Sequence, residues 1–341
     1  MFELKDLKLP LIGAPMAGGP TTPELVAAVS NAGGLGMLAA GYFDEKQLAD
    51  AVAQTRALTD AAFGVNLFVP QEPMPDTAVQ NLDAYRTDLQ RFGDQYGLDM
   101  QSVEINVPDH FESLISWLES NPLPVVTFTF GLPPVGVIER LHAVGTSVGV
   151  TVTNVADALS AHEFGADFLC VQGPDAGGHQ STFGVFEDAN TIALPQLVRD
   201  IQNAVGLPLS AGGGVESAQD VDALLGLGVH AVQIGSLLLL TDEAGTSQPH
   251  RNALRSGIRE TRITRAFTGR PARAVVNEFV AELDAKAPAV YPHMHYLTAP
   301  LRAKAKDAGT WQHVNAWAGA GFENAQSKPA AEVIAELFPS H

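Results

Sequence analysis

Short apolar runs, β-branched or bounded by glycine, alternate along this chain with longer segments of helical period. This is the pattern of a parallel sheet wound with helices. Eight runs read as strands: Leu9 to Met16, Gly34 to Ala40, Phe63 to Val69, Val125 to Gly131, Ser147 to Thr153, Ala166 to Gly173, Pro208 to Gly213 and Ala231 to Leu239. Helices with polar starts and glycine stops are predicted over Thr22 to Ala32, Val155 to Phe164 and Ser217 to Leu227, ending at Gly33, Gly165 and Gly228. Each reads as part of one βα unit, and eight strands is the number that closes a (β/α)8 TIM barrel. The expected fold class is α/β.

The spacing breaks once, between Val69 and Val125, where helical stretches around Thr77 to Tyr96 and His110 to Ser120 lengthen the third unit. These are read as a helical insertion over residues 70–124, beside the barrel mouth. Residues 241–341 follow the eighth strand, with a basic stretch from Arg259 to Arg273 and an aromatic, proline-spaced stretch from Tyr291 to Trp317. That is too long for one closing helix. The expected division is therefore a barrel over 1–240 and a C-terminal extension over 241–341 that packs across the barrel mouth.

Composition narrows the function classes. Of 341 residues, 46% are hydrophobic and 17% charged, enough apolar material to fill a barrel and the layer outside it, which excludes a disordered chain. The formal net charge of -18 should repel phosphate backbones and anionic membranes, so no nucleic-acid or membrane partner is expected. The single cysteine, Cys170, allows neither a disulfide framework nor a cysteine-based zinc site. No export signal and no run of about 18 apolar residues is visible, so a cytoplasmic location is expected.

Gly34-Leu-Gly36-Met-Leu-Ala39 matches the dinucleotide fingerprint letter for letter, but a helix precedes it and a strand follows, the reverse of the required order. The phosphate argument belongs instead to Ala211-Gly-Gly213-Gly214 and Gln233-Ile234-Gly235-Ser236, which close strands seven and eight. In barrels these two loops commonly cradle a phosphate, because glycine lets backbone N–H groups approach it. A glycine-rich turn with no ligand remains the alternative. Other strand ends carry Ala14-Pro15-Met16, Asn66 and Gln172. The two amides suit the pyrimidine edge of a flavin ring, or equally a satisfied core hydrogen bond. His179 follows Gly177-Gly178 beyond strand six; its imidazole can move a proton near neutral pH, and the glycines let its backbone approach a flat cofactor. No His/Asp/Glu cluster of metal-ligand spacing stands out, so no metal is expected.

Several separated blocks resemble the class I nitronate monooxygenases, formerly grouped as 2-nitropropane dioxygenases. They are Ala14-Pro-Met-Ala-Gly18 with the segment Thr22 to Gly36, then Gly64-Val-Asn-Leu-Phe68, Thr127-Phe-Thr-Phe-Gly131, and Val171-Gln-Gly-Pro-Asp-Ala-Gly-Gly-His179. The resemblance implies a barrel that binds flavin mononucleotide (FMN) non-covalently and oxidises alkyl nitronates such as propionate 3-nitronate with molecular oxygen. It marks His179 as the catalytic histidine, Asn66, Gln172 and Gly177 as FMN contacts, and Gly213, Gly214 and Gln233 to Ser236 as the phosphate and ribityl cradle. Tyr291, His295 and Trp317 fall in blocks of the tail whose aromatics would line the substrate side, and Ala320 stands where relatives often have Gln. A reductase on the same fold, using NADH to reduce quinones or enoyl thioesters, shares the loops and the histidine. A colourless isomerase or lyase that cradles a substrate phosphate is the rival from another class.

Overall fold

In the computed structural model, which describes residues 1–339, eight parallel strands form the barrel. They are β1 (Leu11–Gly13), β2 (Gly36–Ala39), β3 (Phe63–Phe68), β4 (Val125–Thr129), β5 (Ser147–Val152), β6 (Phe168–Gln172), β8 (Leu209–Gly212) and β9 (Ala231–Ile234). The order is β1-β9-β8-β6-β5-β4-β3-β2, and a parallel bridge from Ile12 to Leu35 brings β1 beside β2 to close the ring. Between β6 and β8 lies a two-residue strand, β7 (Gly178–His179), which pairs antiparallel with β11 (Ala272–Val275) and, through it, with β10 (Thr261–Thr264).

The helices start where their caps dictate. Thr22 Oγ1 accepts from Leu25 N (3.0 Å) ahead of Pro23, and Asn154 Oδ1 accepts from Asp157 N (2.8 Å), each satisfying an orphan donor worth about 1 kcal/mol. The glycines of the false dinucleotide fingerprint are explained by packing. A Cβ on Gly36 would penetrate the backbone of Val26, so helix Pro23–Asn31 lies directly against β2.

Two elements depart from the sequence-based division. Of the two helices assigned to the insertion, Phe111–Ser120 packs between helices Glu45–Leu58 and Val137–Ala143, its Phe111, Leu114, Ile115 and Leu118 in one core with Val126 and Phe128. It is the barrel's own third helix. Only Asp76–Asp94 and the loop after it stand apart, and Leu82, Tyr85, Leu89 and Phe92 share a core with Phe267, Phe279, Met294 and Leu297 of the tail. At the other end, helix Ala330–Leu337 packs against Pro23–Asn31 and Ala218–Gly226 and buries Val333, Ile334 and Leu337 in the barrel's main core. It is the eighth barrel helix, so the chain leaves the barrel after β9 and returns to it. Burying each of those three aliphatics contributes about 1.5–3 kcal/mol.

The eighth strand is shorter than expected. It ends at Ile234, and Ser236–Leu238 form a 3-10 turn. The apolar run Leu237 to Leu240 looks like more strand because composition alone does not separate a strand from a short buried helix.

Candidate active site

A cavity of about 450 Å³ opens at the carboxyl ends of the barrel strands, within the size range of cofactor pockets. Its wall includes Ala14, Pro15 and Met16, Asn66, Gln172, Gly177, Gly178 and His179, Gly213 and Gly214, Gln233 to Ser236, and His295 and Trp317. Residues separated by up to three hundred positions thus converge on one space. Tyr291 is the exception. It is buried behind the wall, in edge contact with the rings of Phe130 (5.4 Å) and His179 (5.9 Å). It supports the histidine from behind instead of facing the cavity.

One side of the cavity is made of free backbone donors. The N–H groups of Gly213, Gly214, Gly235 and Ser236 have no acceptor within the described residues. Gly213 has φ +112°, and a Cβ there would stand 2.9 Å from Gly173 O. Ser236 Oγ accepts from Gly319 N (2.8 Å), which leaves its own hydrogen for a second acceptor. Such a ring of unsatisfied donors fits a phosphate, whose oxygens are strong acceptors.

The two amides do different things. Asn66 Nδ2 donates to Thr127 O (3.2 Å), Thr127 Oγ1 (2.9 Å) and Thr129 Oγ1 (2.9 Å). Because a carbonyl oxygen can only accept, the amide nitrogen must sit on that side, and Oδ1 is left without a partner among the described residues. Gln172 is engaged at both ends: Nε2 donates to His179 O (3.0 Å) and Oε1 accepts from Ser181 N (2.8 Å). It clamps the segment that carries His179.

His179 lies in strand β7, not in an open loop as expected, and its backbone pairs with Ala272. Gly177, two residues before it, is required by the tail, since a Cβ there would lie 2.5 Å from Gly319 N and 2.6 Å from Ala318 C. The imidazole is ringed by Phe130 (5.5 Å), Trp317 (5.4 Å) and Tyr291, and Nε2 shares a 2.9 Å hydrogen bond with Thr268 Oγ1. Phe130 holds its place with φ +76°, a conformation rare for a bulky residue and costing about 1–3 kcal/mol. Its ring is gripped by the Arg270 guanidinium (4.3 Å) and Phe68 (4.6 Å).

Burial, with the charges of Arg270 and Arg302, pushes the His179 pKa down to about 3, and burial pushes His250 down to about 4. Burial likewise holds His295 well below its usual range. Unfolded imidazoles titrate near 6.5. Between about 6.5 and 4 the unfolded chain therefore binds more protons than the folded one, so the stability these residues contribute is complete above that window and lost as pH falls through it. Asp157, pushed up to about 6 by burial, acts in the opposite sense between about 6 and 4 and offsets one histidine. Urea melts of the flavin-free protein should show a net loss approaching ~1.4 kcal/mol per pH unit or more between pH 6 and 5. A flat profile would contradict the burial of these rings.

The site also contains side chains not picked out from sequence: Tyr42, Phe68, Phe130, Thr268, Arg302 and Asn315. Tyr42 stacks on His295 (4.4 Å, 11°). A signal existed for one of them, because His295, Ala299 and Arg302 stand at i, i+4 and i+7 on helix His293–Asp307, all on the cavity wall. The arginines of the basic stretch Arg259 to Arg273 do not line the cavity. Arg259 and Arg262 pair with Glu323 and Glu260, Arg265 caps the carbonyls of Val185 and Glu187, and Arg270 is buried against Thr182 and Gln71. No group of three or more potential metal ligands occurs among the described residues, and no helix there is long and apolar enough to cross a membrane.

Known proteins resemble this chain along nearly its whole length. A probable nitronate monooxygenase of Staphylococcus aureus (strain Newman) is 33% identical over 99% of this chain and 96% of its own length. One from Staphylococcus saprophyticus is 35% identical over 93% of this chain and 90% of its own. The structure of nitroalkane oxidase from Streptomyces ansochromogenes superimposes with a TM-score of 0.91 at 38% identity, covering 98% of this chain and 96% of that one. FabK from Thermotoga maritima (TM-score 0.76, 24% identity, 98% and 93% covered) shares the fold. The family model for nitronate monooxygenase matches residues 2–340, and the chain belongs to that family.

Proposed function

We propose that this protein binds FMN in the cavity and oxidises alkyl nitronates of the propionate 3-nitronate type with molecular oxygen. The observation that carries the reading is the meeting, on one wall, of a half-buried histidine with four backbone N–H groups and an amide oxygen that have no partner among the described residues. Gly213, Gly214, Gly235 and Ser236 would hold the phosphate. Asn66 Oδ1 would accept from the imide N–H of the flavin ring, and Gln233, whose amide makes no bond within the chain, would reach the same edge. The chemistry a flavin supplies there is acceptance of an electron from the nitronate and its delivery to oxygen, with no nicotinamide required.

The chain's own residues bind and orient. His179 is held neutral in its aromatic ring of Phe130, Tyr291 and Trp317, turned by Thr268 and fixed along its backbone by Gln172 and β11. It serves the anionic nitronate as a hydrogen-bonding partner, preorganised so that nothing has to move as charge develops. The tail, braced by a core shared with the helix Asp76–Asp94, supplies His295, Arg302 and Trp317 to the cavity wall.

Oxygen uptake with propionate 3-nitronate, with and without NADH, tests the reading. Uptake should be rapid and independent of NADH. If NADH instead bleached the flavin anaerobically within a turnover time, the protein would be a reductase on the same scaffold.

A further inference from the structure

One half-buried cation stands on the cavity wall apart from the phosphate loops. Arg302 projects from the tail helix beside His295 and Ala299. Its Nε donates to Thr298 Oγ1 (3.1 Å), Nη1 to Asn315 Oδ1 (3.3 Å) and Nη2 to His295 O (2.7 Å), with His295 Nδ1 at 3.4 Å. Every one of these partners is neutral. The cavity wall has one carboxylate, Asp175, and it faces Arg273 at 3.7 Å. Burial lowers the Arg302 pKa only to about 10, so the guanidinium keeps its charge at neutral pH.

A cation drawn partly out of water without a counter-charge is disfavoured, and an anion bound in the cavity would offset that cost. The four contacts leave one Nη1 hydrogen unused, and the long contact to Asn315 is exchangeable for a charge-assisted bond of about 2.7–2.9 Å. The position separates this anion from a phosphate. The nearest neighbours of Gly213, Gly214 and Gly235 are Gly173, Ala176, Asp175, Ala14 and Met16, whereas the hydrogen bonds of Arg302 among the described residues go to the tail helix and Asn315. It is linked to the histidine side of the cavity through His295, Tyr42, Phe68 and Phe130, each ring touching the next.

We propose that Arg302 is the specificity residue of the site, receiving a carboxylate at the end of the substrate remote from the nitronate carbon. The enzyme is then selective for carboxylate-bearing nitronates over plain alkyl nitronates. The proposal rests on the nitronate reading above, and it accounts for how so acidic a chain accepts a doubly anionic substrate: the counter-charge is one half-buried guanidinium on the cavity wall, not a basic surface patch.

The test compares kcat/KM for propionate 3-nitronate and propyl-1-nitronate, which has no carboxylate, in the native holoenzyme, Arg302→Met and Arg302→Lys. The native enzyme should favour the carboxylate substrate by ~30-fold or more. Arg302→Met should lose ~100-fold on that substrate, mainly through KM, and under ~3-fold on the other; ~100-fold is about 2.7 kcal/mol. Arg302→Lys should recover part of the loss by keeping the charge without the planar fork. Titration of the holoenzyme with unreactive propionate, followed by flavin absorbance, should saturate in the native protein and weaken by ~100-fold in Arg302→Met. Equal losses on both nitronates at full FMN content, no native preference for the carboxylate, or unchanged propionate binding would each overturn the proposal. If the native enzyme consumes neither nitronate, it is the reaction that is misassigned, and the propionate titration still decides the role of Arg302. Should Arg302→Met not fold, the native preference and Arg302→Lys carry the decision.

Discussion

His179→Asn is expected to keep bound FMN and to lower kcat/KM by about 10²–10⁴-fold, the range spanned by positioned acid–base and hydrogen-bonding groups. The loss should be nearly equal for preformed nitronates and for the neutral nitroalkanes they derive from. An imidazole whose pKa is pushed down to about 3 is neutral throughout the working range, but it is a weak base, poorly matched to removing a proton from carbon. For the same reason the native kcat/KM should show no inflection near 6.5 attributable to this residue. Oxygen uptake on both substrate forms from pH 5 to 9, with FMN content read from absorbance, checks all three points. A selective loss on the neutral nitroalkane would show that the ring acts as the proton acceptor after all, its basicity restored by the anionic ligands around it.

Gly213→Ala should strip the protein of its cofactor. At φ +112° a side chain is strained, and the added Cβ would stand 2.9 Å from Gly173 O and 3.1 Å from Ala176 N, both backbone atoms that cannot swing aside. Relief of about 1–3 kcal/mol of strain requires the turn to rotate, which swings the Gly213 and Gly214 N–H groups off the phosphate. FMN affinity should fall by ~10–100-fold or more, at ~1.4 kcal/mol per factor of ten. Equilibrium dialysis or flavin fluorescence measures it. Gly206→Ala is the control, since a Cβ there meets nothing within 4 Å and no positive φ opposes it, and it should bind FMN as the native protein does. Normal FMN binding by Gly213→Ala would place the phosphate elsewhere.

Much of this architecture is legible in the amino-acid sequence. The centres of all eight barrel strands follow from short apolar runs, β-branched or bounded by glycine, because a strand buried on both faces tolerates little else, as in Val125–Thr129 and Ser147–Val152. Helix starts at Thr22, Asn154 and Ser217 are local chemistry, a side-chain oxygen meeting an orphan N–H within three residues. The false dinucleotide fingerprint is rejected on element order alone, and the two glycine loops after the seventh and eighth barrel strands are found because strand number sets their place in the ring.

Tertiary structure decided the rest, wherever the answer depends on contacts between segments remote in sequence. Helical period over Phe111–Ser120 shows a helix but not its neighbours, and only packing against the second and fourth barrel helices makes it part of the ring. Ala330–Leu337 has the same ambiguity at the chain end. Tyr291 and His295 read alike as tail aromatics, yet Tyr291, before the helix His293–Asp307, lies behind the wall and His295, in its first turn, lies on it, a placement relative to the cavity that no local pattern encodes. Arg302 carries no signal in composition, for its meaning lies in the absence of a carboxylate nearby. The alternation of apolar and polar positions thus determined the barrel and the ring of strand ends where chemistry would sit. What faces that ring was settled by the return of the tail across it, since non-local packing alone selects which charges are buried and which rings surround the histidine.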